Sequence, residues 1–365
     1  MNWQLSNLLR AIAITLVVAI HASNSWWFGV DGNTSLHALN WEIFVDTLIN
    51  QVGRFTVPLF VILSGFSLAK SEASRSFSFV RFWQRRSIRI FPPYIFFSVV
   101  SIALQPLFQS SSWAEKLTHF WQVCQDGSAD YHLYFLVIII QCYISYPLLR
   151  LLPFSSRNLA LLGGFTFCLF ALRWSISLFG WFEPIAAYIP NSNHCIFWLA
   201  YFLLGIWLAK APNWFAGCVQ RLPSSTWGRI WAISAFLAVS EFYFAALKIG
   251  SAEAVGHYGR PTVVLLTIAF LLWSMSWQYG KDRLVAGSDP ISKRQNLGTR
   301  TIETLGNASF CIFLTHVWVL RLISPLELVG GFAYPLIAIA TSWFAGVFVW
   351  RLVRSVKGLN LMFGA

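Results

Sequence analysis

Charge is what this sequence most lacks. Only 11% of its 365 residues are Asp, Glu, Lys or Arg, against about a quarter in an ordinary soluble domain. A chain this long has enough residues for a large soluble core, but it would need about twice that density of charge to stay dissolved. Carboxylates are the scarcer sign, 14 Asp and Glu against 26 Lys and Arg, so the formal net charge is +12. The six cysteines include no C-x-x-C pair, which argues against a zinc ribbon, a metal centre or a disulfide framework. Cys124 and Cys195 are the exception, since both fall in predicted outer segments where a disulfide is chemically allowed. There is no G-x-S-x-G elbow, no Walker loop and no H-E-x-x-H, which removes several soluble-enzyme mechanisms. Without repeats or low-complexity linkers, residues 1–365 read as one domain.

What is abundant is apolar. Hydrophobic residues make up 57% of the chain, with 19 Trp and 33 Phe, above the 45–50% of soluble proteins. Windows near 20 residues long fall at about 8–28, 42–68, 92–109, 132–152, 158–180, 196–210, 229–248, 261–278, 306–325 and 333–353. The expectation is an all-α polytopic bundle of about ten transmembrane helices, with the first an uncleaved span because further spans follow it. With a cytoplasmic N-terminus and ten crossings, twenty of the 26 basic residues lie inside, four outside and two within spans. The positive-inside rule therefore puts both termini in the cytoplasm. Basic residues placed between apolar runs describe topology and contact with membrane lipids, not a nucleic-acid partner.

The first window, "LLRAIAITLVVAIHASNSWWF", carries Arg10 and His21. Eleven positions correspond to three turns plus about 20°, so both project from one face, about 16 Å apart along the axis. Intramembrane ionisable groups face a water-filled cavity or a partner. Taken singly, Arg10 is equally a snorkelling rim cation and His21 equally an interhelical hydrogen-bonder. Arg54, in "NQVGRFTVPLFVILSGFSLA", is costly in a bilayer unless paired or solvated. Pro58, Ser64 and Gly65 follow it, allowing either a packing kink or close helix approach at a cavity. In "SRSFSFVRFWQRRSIRIFPPY", Arg81, Arg85 and Arg89 share one face and Phe79, Trp83 and Ile90 the opposite one, the pattern of a helix lying at the inner interface. It suits anionic lipid or a phosphorylated cytoplasmic ligand. His132 and His316 lie in the fourth and ninth windows and with His21 are candidates to line a shared cavity. Glu241 is the most membrane-embedded carboxylate, a cavity candidate or a structural partner for an arginine such as Arg54 or Arg173. His37, His119, His194 and His257 fall in outer segments and are expected to be solvated.

These features together resemble the acyltransferase-3 family of integral membrane acyltransferases. The resemblance rests on Arg10 and His21 with ten residues between them in the first span, "RFTVPLFVILSGF" in the second, "RRSIRIFPPY" entering the third, "YHLYF" opening the fourth and "SFCIFLTH" in the ninth. It covers most of the chain and is closest to the stand-alone O-acetyltransferases. It implies a multi-pass protein of a bacterial-type cytoplasmic membrane, acetyl-CoA as donor, no metal, and a glycan or lipid-linked saccharide as acceptor. On that reading Arg10, Arg85, Arg86 and Arg89 hold the nucleotide phosphates and His21 is general base. Arg54 and Ser64 shape the cavity, with Arg54 a candidate for oxyanion stabilisation, while His132, His316 and Glu241 line it. Direct transfer and a covalent acyl-histidine route are equally compatible with these residues. The competing class is a transporter or flippase for a polysaccharide or other anionic substrate, its pathway lined by Arg54 and the span histidines.

Overall fold

The computed structural model describes residues 1–23, 41–73, 77–104, 112–286, 297–329, 333–356 and 358–363. Among them every regular element is helical. The principal helices are α1 (Trp3–Ser23), α2 (Trp41–Val52), α3 (Thr56–Glu72), α4 (Phe79–Ala103), α5 (Trp113–Asp126), α6 (Tyr134–Leu149) and α7 (Ser156–Phe179). They continue as α8 (Leu199–Lys210), α9 (Pro212–Gln220), α10 (Ser224–Ile249), α11 (Pro261–Ala286), α12 (Leu297–Ile323) and α13 (Ala333–Ser355).

Among the described residues, seven stretches are long and apolar enough to cross a membrane: α1, Phe44–Glu72 (most of α2, a 3-10 turn and α3), α7, α10, Pro261–Lys281, Leu297–Leu326 and α13. The other three windows of the sequence differ for identifiable reasons. The 92–109 window falls in α4 as far as Ala103, with 105–109 outside the described residues, and the first turns of that helix carry Arg81, Arg85, Arg86 and Arg89. The basic stretch is thus continuous with that helix through Pro92 and Pro93, not a separate interfacial helix. The 132–152 window forms α6, only 16 residues long. The 196–210 window forms the short α8, which meets α9 at a bend of 97°; counted together they bring the spans to eight. His37 lies outside the described residues.

The bundle is centred on α1 and α3, whose side chains are mostly buried, and ringed by helices that expose apolar surface. Leu161 and Phe165 on α7, Ile233 and Phe236 on α10, and Leu336, Phe344 and Phe348 on α13 are all exposed. A soluble protein does not tolerate such a continuous apolar exterior, whereas hydrocarbon solvates it. Two glycines fix the closest crossing: a Cβ on Gly65 of α3 would sit 2.1 Å from the Phe202 carbonyl oxygen, and one on Gly205 of α8 would sit 1.9 Å from that of Ile62. Small residues let the two backbones touch, as in membrane helix packing generally. The "LSGF" of the second window is therefore a close-approach point with its serine left free to face elsewhere.

Candidate active site

A cavity of about 690 Å³ opens at the Arg10 end of the bundle, within the usual size range of small-molecule sites. On α3, Phe60, Ser64, Ser67 and Ser71 line it; their spacing of four, three and four residues is one helix face. Arg10 of α1, Arg86 and Arg89 of α4, and Arg354 of α13 bring four guanidiniums to the same space, and among the described residues no carboxylate lines it. Arg10 is held in place: its Nη2 donates to Ser67 Oγ at 2.5 Å and Nη1 to Asn7 Oδ1 at 3.4 Å. Arg86 lies over the Tyr143 ring, 5.5 Å from its centroid. A lining with four cations and no anion has its charge matched only when an anion enters, and arginine forks suit phosphate oxygens.

Beyond this cavity the three span histidines come together. The His316 ring of α12 lies 5.3 Å from that of His21 and 5.4 Å from that of His132. Tyr131 packs on the other side of His21 at 4.8 Å. His316 Nδ1 donates to the Phe313 carbonyl at 2.6 Å, which leaves its Nε2 as the acceptor nitrogen. His132 sits in the turn before α6, and its Nδ1 is 3.9 Å from Asp130 Oδ1. Asp130 anchors that turn: Arg321 Nη2 donates to its Oδ1 at 2.9 Å and is ion-paired with Oδ2 at 2.9 Å, while Ser101 Oγ donates to Oδ2 at 2.9 Å and the Tyr131 N–H to Oδ1 at 2.9 Å. Neither Asp130 nor Arg321 was singled out by the sequence reading; the signal is an aspartate two positions before the span histidine in "DYHLYF".

Arg54 is buried in the 3-10 turn between α2 and α3, and both its Nε (3.1 Å) and Nη2 (2.5 Å) donate to Asn50 Oδ1. Asn50 Nδ2 in turn donates to the Ile20 carbonyl at 3.2 Å and to Ser23 Oγ at 3.4 Å. Arg54 is thereby tied to the residue preceding His21, while its guanidinium lies 4.9 Å from the centroid of Tyr258. Tyr258 itself borders the small space around His21, His132 and Val17. The turn fits because Gly53 lacks a Cβ, which would stand 2.9 Å from Ile20 Cδ1.

Several sequence expectations need correction. Glu241 is not at the cavity; it faces Arg260, whose Nη1 is 3.7 Å from Glu241 Oε2, and it accepts from Thr262 Oγ1. Its partner is thus neither Arg54 nor Arg173. Arg260, counted from sequence as an outer cation, is fully buried, with Nη1 donating to the Ala238 carbonyl at 3.0 Å and Nη2 bonded to Gln51. A carboxylate explains how it is tolerated there. Arg173 instead donates to the Pro190 carbonyl at 2.9 Å. Arg85 does not line the large cavity but a neighbouring one of about 90 Å³ with Arg81, Arg86, Glu72 and Tyr146. His257 is not simply solvated: it lines a pocket of about 170 Å³ with Arg173 and Trp174, and its Nδ1 accepts the Gly259 N–H at 3.1 Å. Burial, with Arg260 and Arg54 nearby, pushes it down to about 4. Cys124 and Cys195 are both free thiols, as are the other four cysteines.

The arrangement thus sets four guanidiniums around one chamber and three histidine rings beyond it, with the Arg10-to-His21 face of α1 running from one to the other. A family model described as an acyltransferase domain, Acyl_transf_3, matches residues 5–353. No curated protein and no solved structure gives a match.

Proposed function

The chain belongs to the acyltransferase-3 family of membrane acyltransferases, and from that premise we propose that it moves an acetyl group from cytoplasmic acetyl-CoA to a hydroxyl of a cell-surface or lipid-linked glycan. The observation that carries this reading is the cavity of Arg10, Arg86, Arg89 and Arg354, with no carboxylate among its described lining residues and His21 about 16 Å further along the helix that bears Arg10. A coenzyme A phosphate group belongs among the arginines, and its extended pantetheine arm spans a distance of that order. Arg85 and Arg81, in the adjoining pocket, lie where a second phosphate is accommodated. The basic-residue distribution supports a cytoplasmic Arg10 end and a bacterial-type cytoplasmic membrane as the location.

In the transfer, the acceptor oxygen attacks the thioester carbonyl while His21 takes its proton. The carbon–sulfur bond then breaks, the thiolate leaves, and the proton returns to it from the imidazolium. His316, its Nδ1 fixed on Phe313, orients against His21 and presents a basic nitrogen beside it. Arg54 is the cation for the developing oxyanion. Ser64, on the cavity face of α3, is a polar contact for the pantetheine arm. The experiment is to compare surface glycans of cells with and without the gene, and to assay the purified protein for acetyl-CoA consumption. The reading expects an acetyl mass increment on the glycan and consumption lost on Arg10 substitution; transport of an unmodified polymer without acetyl-CoA binding would replace it with the flippase alternative.

A further inference from the structure

The basic cavity and the space around His21 share three side chains. Phe60 of α3, Phe135 of α6 and Phe313 of α12 line both. The rings contact one another edge-on or tilted, Phe60 to Phe135 at 6.1 Å and Phe135 to Phe313 at 5.3 Å between centroids. The space left on the histidine side is about 10 Å³, roughly the room of one water. A thioester carbonyl arriving from the arginines therefore meets a wall of phenyl rings before it meets His21. Two of the rings are one helical turn from the histidines they screen. Phe135 follows His132 by three residues, and Phe313 precedes His316 by three and accepts its Nδ1–H. The Phe313 ring is also 5.4 Å from His132 and 5.9 Å from His316, so it touches both compartments at once.

We infer that Phe60, Phe135 and Phe313 form a partition that sets the size of acyl group able to cross to His21 and keeps water off the thioester until an acceptor is in place. This rests on the acyl-CoA reading above. A short acyl group crosses by rotation of one ring, whereas each added methylene must displace more of a close-packed aromatic wall. The same wall separates the open arginine chamber from the bases, which limits hydrolysis as a side reaction. An apolar core contact with no functional part would share the packing but not the selectivity.

The test uses the full-length protein in nanodiscs, with acetyl-CoA and butyryl-CoA as probes and no acceptor added. Free thiol reports hydrolysis, in which water adds to the carbonyl, the carbon–sulfur bond breaks, and the carboxylic acid and coenzyme thiol are released. Phe313→Ala and Phe60→Leu are each expected to raise acetyl-CoA hydrolysis about tenfold or more, and to raise the ratio of butyryl to acetyl turnover by a similar factor. Phe60 is only partly buried, so Phe60→Leu decides the matter if Phe313→Ala does not fold. Folded variants with the wild-type rate and the wild-type ratio would overturn the partition. Acetyl-CoA binding by the wild type, measured on the same preparation, separates the two claims: without it the donor reading itself falls, and with it only the partition does.

Discussion

Replacing Arg10 by Ala removes one of four guanidiniums from the basic cavity and the only one on the helix that carries His21. Arg10 is half-buried and its Nη2 is positioned by Ser67, so little side-chain freedom is left to lose when a phosphate binds. A hydrogen bond to a charged group contributes about 1.5–3 kcal/mol, and each 1.4 kcal/mol is tenfold in Kd. Acetyl-CoA should bind Arg10→Ala about 10- to 150-fold more weakly by calorimetry on detergent-solubilised protein. Arg10→Lys, which keeps the charge but not the fork, should recover part of that loss. The control is Arg351→Ala, exposed and one turn from Arg354 on α13 but absent from the cavity lining; its Kd should stay within about twofold on the same scale. An Arg10→Ala protein that is folded and binds acetyl-CoA as tightly as wild type would refute the assignment of the cavity to phosphate.

Three further outcomes follow from the geometry. Gly205→Ala puts a Cβ 1.9 Å from the Ile62 carbonyl oxygen, so α3 and α8 must part by about 1 Å or more; overpacking of this kind costs about 1–3 kcal/mol, seen as a fall in Tm of several degrees. Asp130→Asn and Arg321→Ala each break the anchor of the His132 turn and should slow transfer while leaving acetyl-CoA affinity intact; the double variant should be no slower than the worse single one, because they share one interaction. His257 is held neutral, pushed down to about 4, and its proton acceptance is unfavourable in the fold, so stability is present above pH 6.5 and is lost as pH falls toward 4. Between pH 7 and 5 that loss is up to about 2 kcal/mol, and thermal unfolding of His257→Gln should show a flatter pH dependence over that interval.

Much of the site was legible because membrane sequences make polarity conspicuous. Arg10, His21, His132 and His316 stand out against apolar surroundings, and helical periodicity alone puts the first two on one face. The structure adds which of the others meet. That Arg86 and Arg354 enter the cavity while Arg85 turns aside depends on how α4 and α13 pack against α1 and α3, which no single-helix period encodes. Glu241 and Arg260 were read separately because nineteen positions and a loop part them, and only the packing of α10 against the start of α11 brings them together. The fold class followed from hydropathy, but the ten windows did not give ten long apolar helices: arginines fill the first turns of α4, and α8 ends at Lys210 before a sharp bend. The partition of Phe60, Phe135 and Phe313 was invisible in a chain with 33 phenylalanines, because nothing in the sequence distinguishes a ring between two cavities from a ring in the core.

The central claim is a division of labour along α1, with binding at Arg10 and chemistry at His21. The most direct measurement is acetyl transfer by His21→Ala beside its acetyl-CoA Kd, on the same purified, folded protein. Loss of a positioned general base lowers the rate by about 10²- to 10⁴-fold, and the Kd should remain within about threefold of wild type, since His21 lies about 16 Å from Arg10, the residue proposed to hold the coenzyme. A His21→Ala protein that transfers acetyl at the wild-type rate, or one whose defect is entirely in Kd, would contradict the account.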